Sequence, residues 1–149
     1  MDILSIVIIA FVVLESSNII MLYFAPESRR GNGVGVFNAF EKSKEDPEVH
    51  ALVRYLINWV AGTKLIFILL LIGILIAGDG TTRILSVIAL ILSITTFFYR
   101  LYPAIKSMDK NGQITPQGYS RTLGIMIAAF LFVFTVALVV YLVFLKPAA

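Results

Sequence analysis

Cysteine is absent from this chain, and histidine occurs once, as His50. The first absence excludes disulfides, iron–sulfur clusters and cysteine catalysis, and it leaves the redox compartment unreadable. The second argues against a histidine metal site. Charge is scarce too: 14% of the 149 residues are charged, where a soluble domain carries about 25%. The residues present yield no Ser-His-Asp set, His-Glu-x-x-His, Walker loop or pair of facing carboxylates. No cofactor is expected. What the chain has is apolar side chains, 59% of the total with a mean hydropathy of +0.94, gathered in long runs. That makes it an integral membrane protein. The net charge of +3 does not require nucleic acid, because basic cytoplasmic loops give a membrane protein the same balance.

Four apolar segments stand out, at residues 3–25, 52–77, 83–102 and 119–145. Each is about 20 residues or more, enough at 1.5 Å per residue to cross about 30 Å of hydrocarbon. Helices are required, since lipid offers backbone groups no partner. The runs are also too long and continuous for barrel strands. The expected fold is all-α: a single four-helix transmembrane bundle over residues 1–149, made of two antiparallel hairpins, with connections at 26–51 and 103–118. The first span is expected to be retained. Met1-Asp2 lacks a basic segment, Glu15-Ser16-Ser17-Asn18 interrupts the apolar run, and no small-x-small cleavage site follows.

Local signals mark the span ends. Tyr23-Phe24-Ala25-Pro26 closes the first span, and the run from Phe97 to Pro103 predicts an end for the third at the same interface. Asp46-Pro47-Glu48 predicts a capped start for the second helix, ahead of the membrane itself, and Thr115-Pro116 repeats that signature before the fourth. Gly78-Asp79-Gly80-Thr81-Thr82 reads as a tight turn. In the first connection Gly31, Gly33 and Gly35 loosen the chain, and residues 34–44 read as a short interfacial helix or an ordinary loop. Gly124 and Ala128 offer the fourth span a small-xxx-small face for helix contact. Residues 107–118 contain Asp109-x-Asn111-Gly112, the middle of a calcium loop, but lack its closing Glu; an Asn-Gly turn is expected there.

Basic residues divide by side. Arg29, Arg30, Lys42, Lys44, Arg54, Arg100, Lys106, Lys110 and Arg121 fall in or beside the two long connections, and only Arg83 and Lys146 lie opposite. The positive-inside rule then places both connections in the cytoplasm and both termini outside.

Two charges interrupt the apolar runs at depth, Glu15 and Lys64. At 1.5 Å per residue, Glu15 lies roughly 18 Å and Lys64 roughly 20 Å below the same outer boundary. A charge at the bilayer centre costs about 2.5–3.5 kcal/mol on insertion scales, so it normally has a partner. Asn18, Asn58 and Thr63 add polar groups on the cytoplasmic side, and Glu15 and Asn18, three apart, share a helix face. This polar centre has two readings. One is a structural salt bridge that sets register between the first two spans. The other is an ion, proton or substrate site. Lys64 can also snorkel toward an interface.

A second set, Arg54, Asn58, Tyr99, Arg100, Tyr102 and Arg121, falls at headgroup depth, where it can meet anionic headgroups or an anionic ligand. Arg54-Tyr-Leu-Ile-Asn58 has the Arg-x-x-x-Asn spacing found on the second helix of the MAPEG membrane transferases. The chain resembles that family in its size, four helices, long first cytoplasmic connection and outside termini. The resemblance implies glutathione binding through Arg54 and Asn58, with Tyr99 or Tyr102 and Arg121 in corresponding places, and a lipophilic substrate. Three features depart from the family's pattern: Ala61-Gly62 replaces its Glu-Tyr, the last connection is longer, and the tyrosine spacing differs.

Three functions therefore compete: a non-catalytic accessory or structural subunit, a small oligomeric ion, proton or solute transporter, and a membrane transferase. The missing catalytic constellation lowers the third, and base rates lean to the first. Expected partners are membrane lipids and either further copies of the chain or a larger membrane complex, with no nucleic acid. The expected location is a cell membrane, of prokaryotic plasma-membrane type, crossed several times.

Overall fold

Three aspartates start three helices. The computed structural model describes residues 1–29 and 33–145. Asp2 precedes α1 (Ile3–Phe24), a short α2 spans Asn38–Ser43, Asp46 precedes α3 (Pro47–Ala77), and Asp79 precedes α4 (Gly80–Lys110). Each carboxylate accepts a backbone N–H that a first helical turn leaves unsatisfied: Ser5 at 2.8 Å, Glu48 at 3.0 Å and Thr82 at 2.7 Å. Pro47 takes the first helical position of α3, where its missing N–H costs nothing. The last helix, α5 (Tyr119–Val140), runs on as one wider π turn, Tyr141–Leu145. Among the described residues, α1, α3, α4 and α5 are each long and apolar enough to cross a membrane.

Two expected boundaries move. The third span does not end at Pro103: α4 continues through it to Lys110. Proline there removes a single ladder bond, the one to the Tyr99 carbonyl. At 31 residues, α4 is about 46 Å long at 1.5 Å per residue, so this stretch stands past the hydrocarbon, where water can satisfy that carbonyl. The cap of α5 also differs. Thr115-Pro116, a cis peptide, lies outside the helix, and Gly118 with φ 82° is the capping residue. Gly118 has no capping side chain of its own. Asp109, near the end of α4, supplies it: its carboxylate accepts Gly118 N at 3.1 Å, Ser120 N at 2.9 Å and the Ser120 hydroxyl at 2.6 Å. Both oxygens of the one acidic residue in the calcium-like stretch are thus bound to the chain.

The inward rows explain the packing. On α1, Leu4, Ile8, Phe11, Glu15, Asn18 and Leu22 follow one another three or four residues apart, and Leu4, Ile8, Phe11 and Leu22 are buried. On α3, Ile57, Ala61, Lys64, Ile68 and Leu71 repeat that spacing, with all but Lys64 buried. Such rows mesh as seams between antiparallel helices, and α1 packs chiefly on α3 while α4 packs chiefly on α5. These are the two antiparallel pairs. α5 also meets α1, and α3 touches α4 only lightly although the turn joining them is Gly78-Asp79. Phe134, Ala137 and Tyr141 from α5 and Val87 and Leu90 from α4 complete one core. Large apolar side chains such as Ile66, Leu70, Leu92, Ile125 and Phe132 point outward, as a surface bathed in lipid requires.

The two connections lock together at one end. Asn38 N donates to the Gln113 carbonyl at 2.9 Å and Thr115 N to the Val36 carbonyl at 2.8 Å. The Asn38 amide and the Thr115 hydroxyl add a second layer, over fully buried Val36 and Ile114. Gly35 is held tightly here: a Cβ would stand 1.8 Å from the Glu27 carbonyl oxygen. The same is true of Gly124, where a Cβ would meet the Tyr102 ring at 2.7 Å. Gly124 therefore accommodates a tyrosine, and Ala128 of the expected small-xxx-small pair faces outward. Arg30 and Gly31 of the first connection lie outside the described residues, as does Lys146.

Asp109→Ala should unfasten the start of α5. A lost cap of this kind costs about 1 kcal/mol, so a lowered melting temperature is expected in detergent, with faster amide exchange confined to the first turn of α5. Unchanged exchange at Ser120 would contradict the capping role.

Candidate functional site

The seam positions fill with apolar groups except at one level. There α1 contributes Glu15 and α3 contributes Lys64, and the Lys64 ammonium donates to Glu15 Oε2 at 2.6 Å. Asn18 reaches Glu15 Oε1 at 3.4 Å, a long and weak contact. The pair is partly enclosed, with 31% of the Lys64 side chain and 20% of the Glu15 side chain exposed. Direct pairing is what low dielectric demands: unpaired, each charge bears its full desolvation cost.

Aromatic rings flank the pair on its Asp2 side, around a cavity of about 200 Å³ that both charges line with Phe11 and Phe67. Phe11, one turn before Glu15, meets Phe67, one turn beyond Lys64, edge to face at 6.4 Å. It meets Phe130 and Phe134 of α5 at 6.2 and 5.7 Å. Cavities flank the pair. One of about 260 Å³ opens beside Glu15 and Asn18, against Ile94 of α4 and Phe130 of α5. A crevice of about 560 Å³ lies between α3 and α4, lined by Trp59, Val60, Thr63, Lys64, Phe67 and Ser93. A third, about 450 Å³, runs from Lys64 past Ile57 and Leu22 to Val34 in the first connection.

Of the five residues expected at the polar centre, Glu15, Asn18 and Lys64 come together. Asn58 is exposed on the outer side of α3. Thr63 is exposed as well, bonded to its own helix at the Trp59 carbonyl (3.0 Å), and it borders the α3–α4 crevice.

The headgroup-level set is scattered. Arg54, Tyr99, Arg100 and Arg121 are exposed. The Arg100 guanidinium lies 5.3 Å from the centre of the neighbouring Tyr99 ring. Tyr102 turns inward onto Gly124 and packs against Phe97 and Phe98. Among the described residues, no hydrogen bond or ring contact joins Arg54 or Asn58 to Tyr99, Tyr102 or Arg121.

A second ion pair was not anticipated from the sequence. Arg83, at the start of α4, donates to Asp2 Oδ2 at 2.7 Å, while Asp2 Oδ1 caps α1 through Ser5. The Arg83 Nε is buried without an acceptor among the described residues. The cap was readable as Asp2-x-x-Ser5; its link to a residue 81 positions away was not.

No protein-family model matches the chain, and neither a curated protein nor a solved structure matches it.

Asp2 ties pH to the Asp2 end of the bundle. Partial burial raises its carboxyl pKa, but bonds from Ser5 N–H, Arg83 and the Ser5 hydroxyl outweigh this and hold it below the ordinary value of 3.8. A depressed folded pKa gives stability that is full above the unfolded value and lost as pH falls through the folded one. Asp2→Asn keeps a capping side chain but loses the charge. Wild type should therefore melt higher than Asp2→Asn at neutral pH, and the gap should close below pH 3.8. A gap that persists in acid would contradict the ion pair.

Proposed function

We propose that this chain is a non-catalytic subunit of a membrane assembly, with Glu15–Lys64 as the polar lock that fixes α1 against α3. One observation supports this most: the ion pair sits within the packed seams, in line with buried Phe11 on one helix and buried Ala61 and Ile68 on the other. A pair in that position sets which turns of the two helices face each other. The outward apolar faces of α3 and α5 supply surface for lipid and for neighbouring subunits.

Orientation follows from charge. Arg29, Lys42, Lys44 and Arg54 stand at the end where the connections meet, with Arg100, Lys106, Lys110 and Arg121; Arg83 stands at the other. The positive-inside rule supports connections in the cytoplasm and termini outside.

The flanking cavities favour a second reading, a small oligomeric transporter. Glu15 and Lys64 border cavities on both of their sides, so an opening of the pair would join them. The transferase reading keeps only the Arg54 and Asn58 spacing and Arg121 at the start of α5.

The two readings separate in one preparation. Extracted mildly from its native membrane, the chain should travel in a stoichiometric assembly well above its own 16.5 kDa. In liposomes, Glu15→Gln should leave ion and proton leak unchanged. A monomer in detergent whose flux in liposomes disappears in a folded Glu15→Gln variant would overturn the subunit reading in favour of transport.

A further inference from the structure

The crevice between α3 and α4 is unlike an ordinary lipid-facing groove. α3 and α4 share a tight turn, so residues counted equally from it lie at equal depth. Lys64 is 13 residues before Ala77 and Ser93 is 13 after Gly80; both lie roughly 20 Å from that end at 1.5 Å per residue. Both line the crevice, with Trp59 and Phe67 as aromatic walls. Its volume of about 560 Å³ is in the range of small-molecule sites, roughly 300–1,000 Å³.

Two polar groups there, Lys64 and Ser93, have donors without acceptors among the described residues. Thr63, Ser86, Thr95, Thr96 and Thr135 all donate their hydroxyls to carbonyls of their own helices. Ser93 makes no such bond among the described residues. Lys64 spends one of its three N–H bonds on Glu15, and the other two have no acceptor among the described residues. An acyl chain filling the crevice would leave these donors unsatisfied in hydrocarbon, which is costly. Phospholipid headgroups and esters stay at the interface, away from this level. A carboxylate would add an unbalanced negative charge beside a pair that is already neutral. The occupant that fits is uncharged and lipid-soluble, carries carbonyl oxygens, and has a flat ring for Trp59.

We propose that the α3–α4 crevice binds a neutral, lipophilic carbonyl compound of the quinone type, its oxygens accepting from Lys64 and Ser93 and its ring lying against Trp59. The weak packing of α3 on α4 leaves the crevice open sideways, so such a molecule enters from the bilayer. This goes beyond the subunit reading and does not depend on it.

Trp59 is the chain's one tryptophan, so its fluorescence reports on the crevice directly. The full chain in phosphatidylcholine vesicles is titrated with a decyl-substituted benzoquinone. Binding predicts saturable quenching above the linear collisional background. Ser93→Leu fills the crevice and removes the hydroxyl while leaving Glu15–Lys64 in place, and should raise the half-saturating concentration at least tenfold. Ser93→Ala should raise it about threefold. Lys64→Met should weaken it too, but it also breaks the ion pair, so the Ser93 variants decide. Quenching that is only linear in the quinone-to-lipid ratio, or that saturates identically in folded Ser93→Leu, would overturn the proposal. So would saturable binding of oleate alone, which would assign the crevice to a carboxylate.

Discussion

Two opposite charges set apart in hydrocarbon would each cost about 2.5–3.5 kcal/mol on insertion scales, and in this structure they stand together. Glu15 and Lys64 occupy corresponding seam positions on antiparallel helices, and their 2.6 Å contact is possible in only one axial register of α1 on α3. A slip of one turn would carry each charge about 5.4 Å from its partner, into phenylalanine on one side or aliphatic side chains on the other. Apolar seams tolerate such slips far better, because one leucine contact resembles another. Polar residues at single seam positions specify register in this way in soluble coiled coils, at some cost in stability. The cost is heavier in lipid, which makes the specification sharper.

Beyond that level the bundle is tied at its two ends by different means. At the Asp2 end, Arg83 brings the start of α4 to the start of α1. At the other, the two connections exchange backbone bonds over Val36 and Ile114, and Asp109 holds the first turn of α5. These ties act where water can reach, and they leave the middle of α3 and α4 free to part. The looseness of that pair is thus a consequence of where the fasteners lie: α1–α3 has its ion pair, α4–α5 has Tyr102 seated on Gly124, and among the described residues α3–α4 has its turn and light packing without an ion pair.

Much of this was legible in the sequence because membranes impose simple rules. Apolar run length defined the spans, the Asp-Pro start of α3 was visible as a cap, and depth counting set Glu15 level with Lys64. Other features were legible but misread. Asn58 stands six residues from Lys64, which on a 3.6-residue helix turns it well away from the seam. The three-and-four spacing of Ile57, Ala61, Lys64 and Ile68 marks the inner face without it. Pro103 reads as a stop because proline usually ends helices, yet past the hydrocarbon the loss of one bond is tolerable. The rest lies in long-range pairing that no local pattern encodes. Asp2 with Arg83, Asn38 with Gln113, and Asp109 with Ser120 are ordinary polar residues until the fold brings them together.

If Glu15 and Lys64 hold α1 to α3, each stabilises the bundle through the other. A double-mutant cycle on melting in detergent addresses it directly, with Glu15→Gln, Lys64→Met and both changes together. Each single variant is expected to lose stability, the double variant to recover much of the loss, and the coupling to be on the order of 1 kcal/mol or more. Single variants that are harmless, or losses that simply add, would contradict it and would make each charge a separate group facing its own cavity.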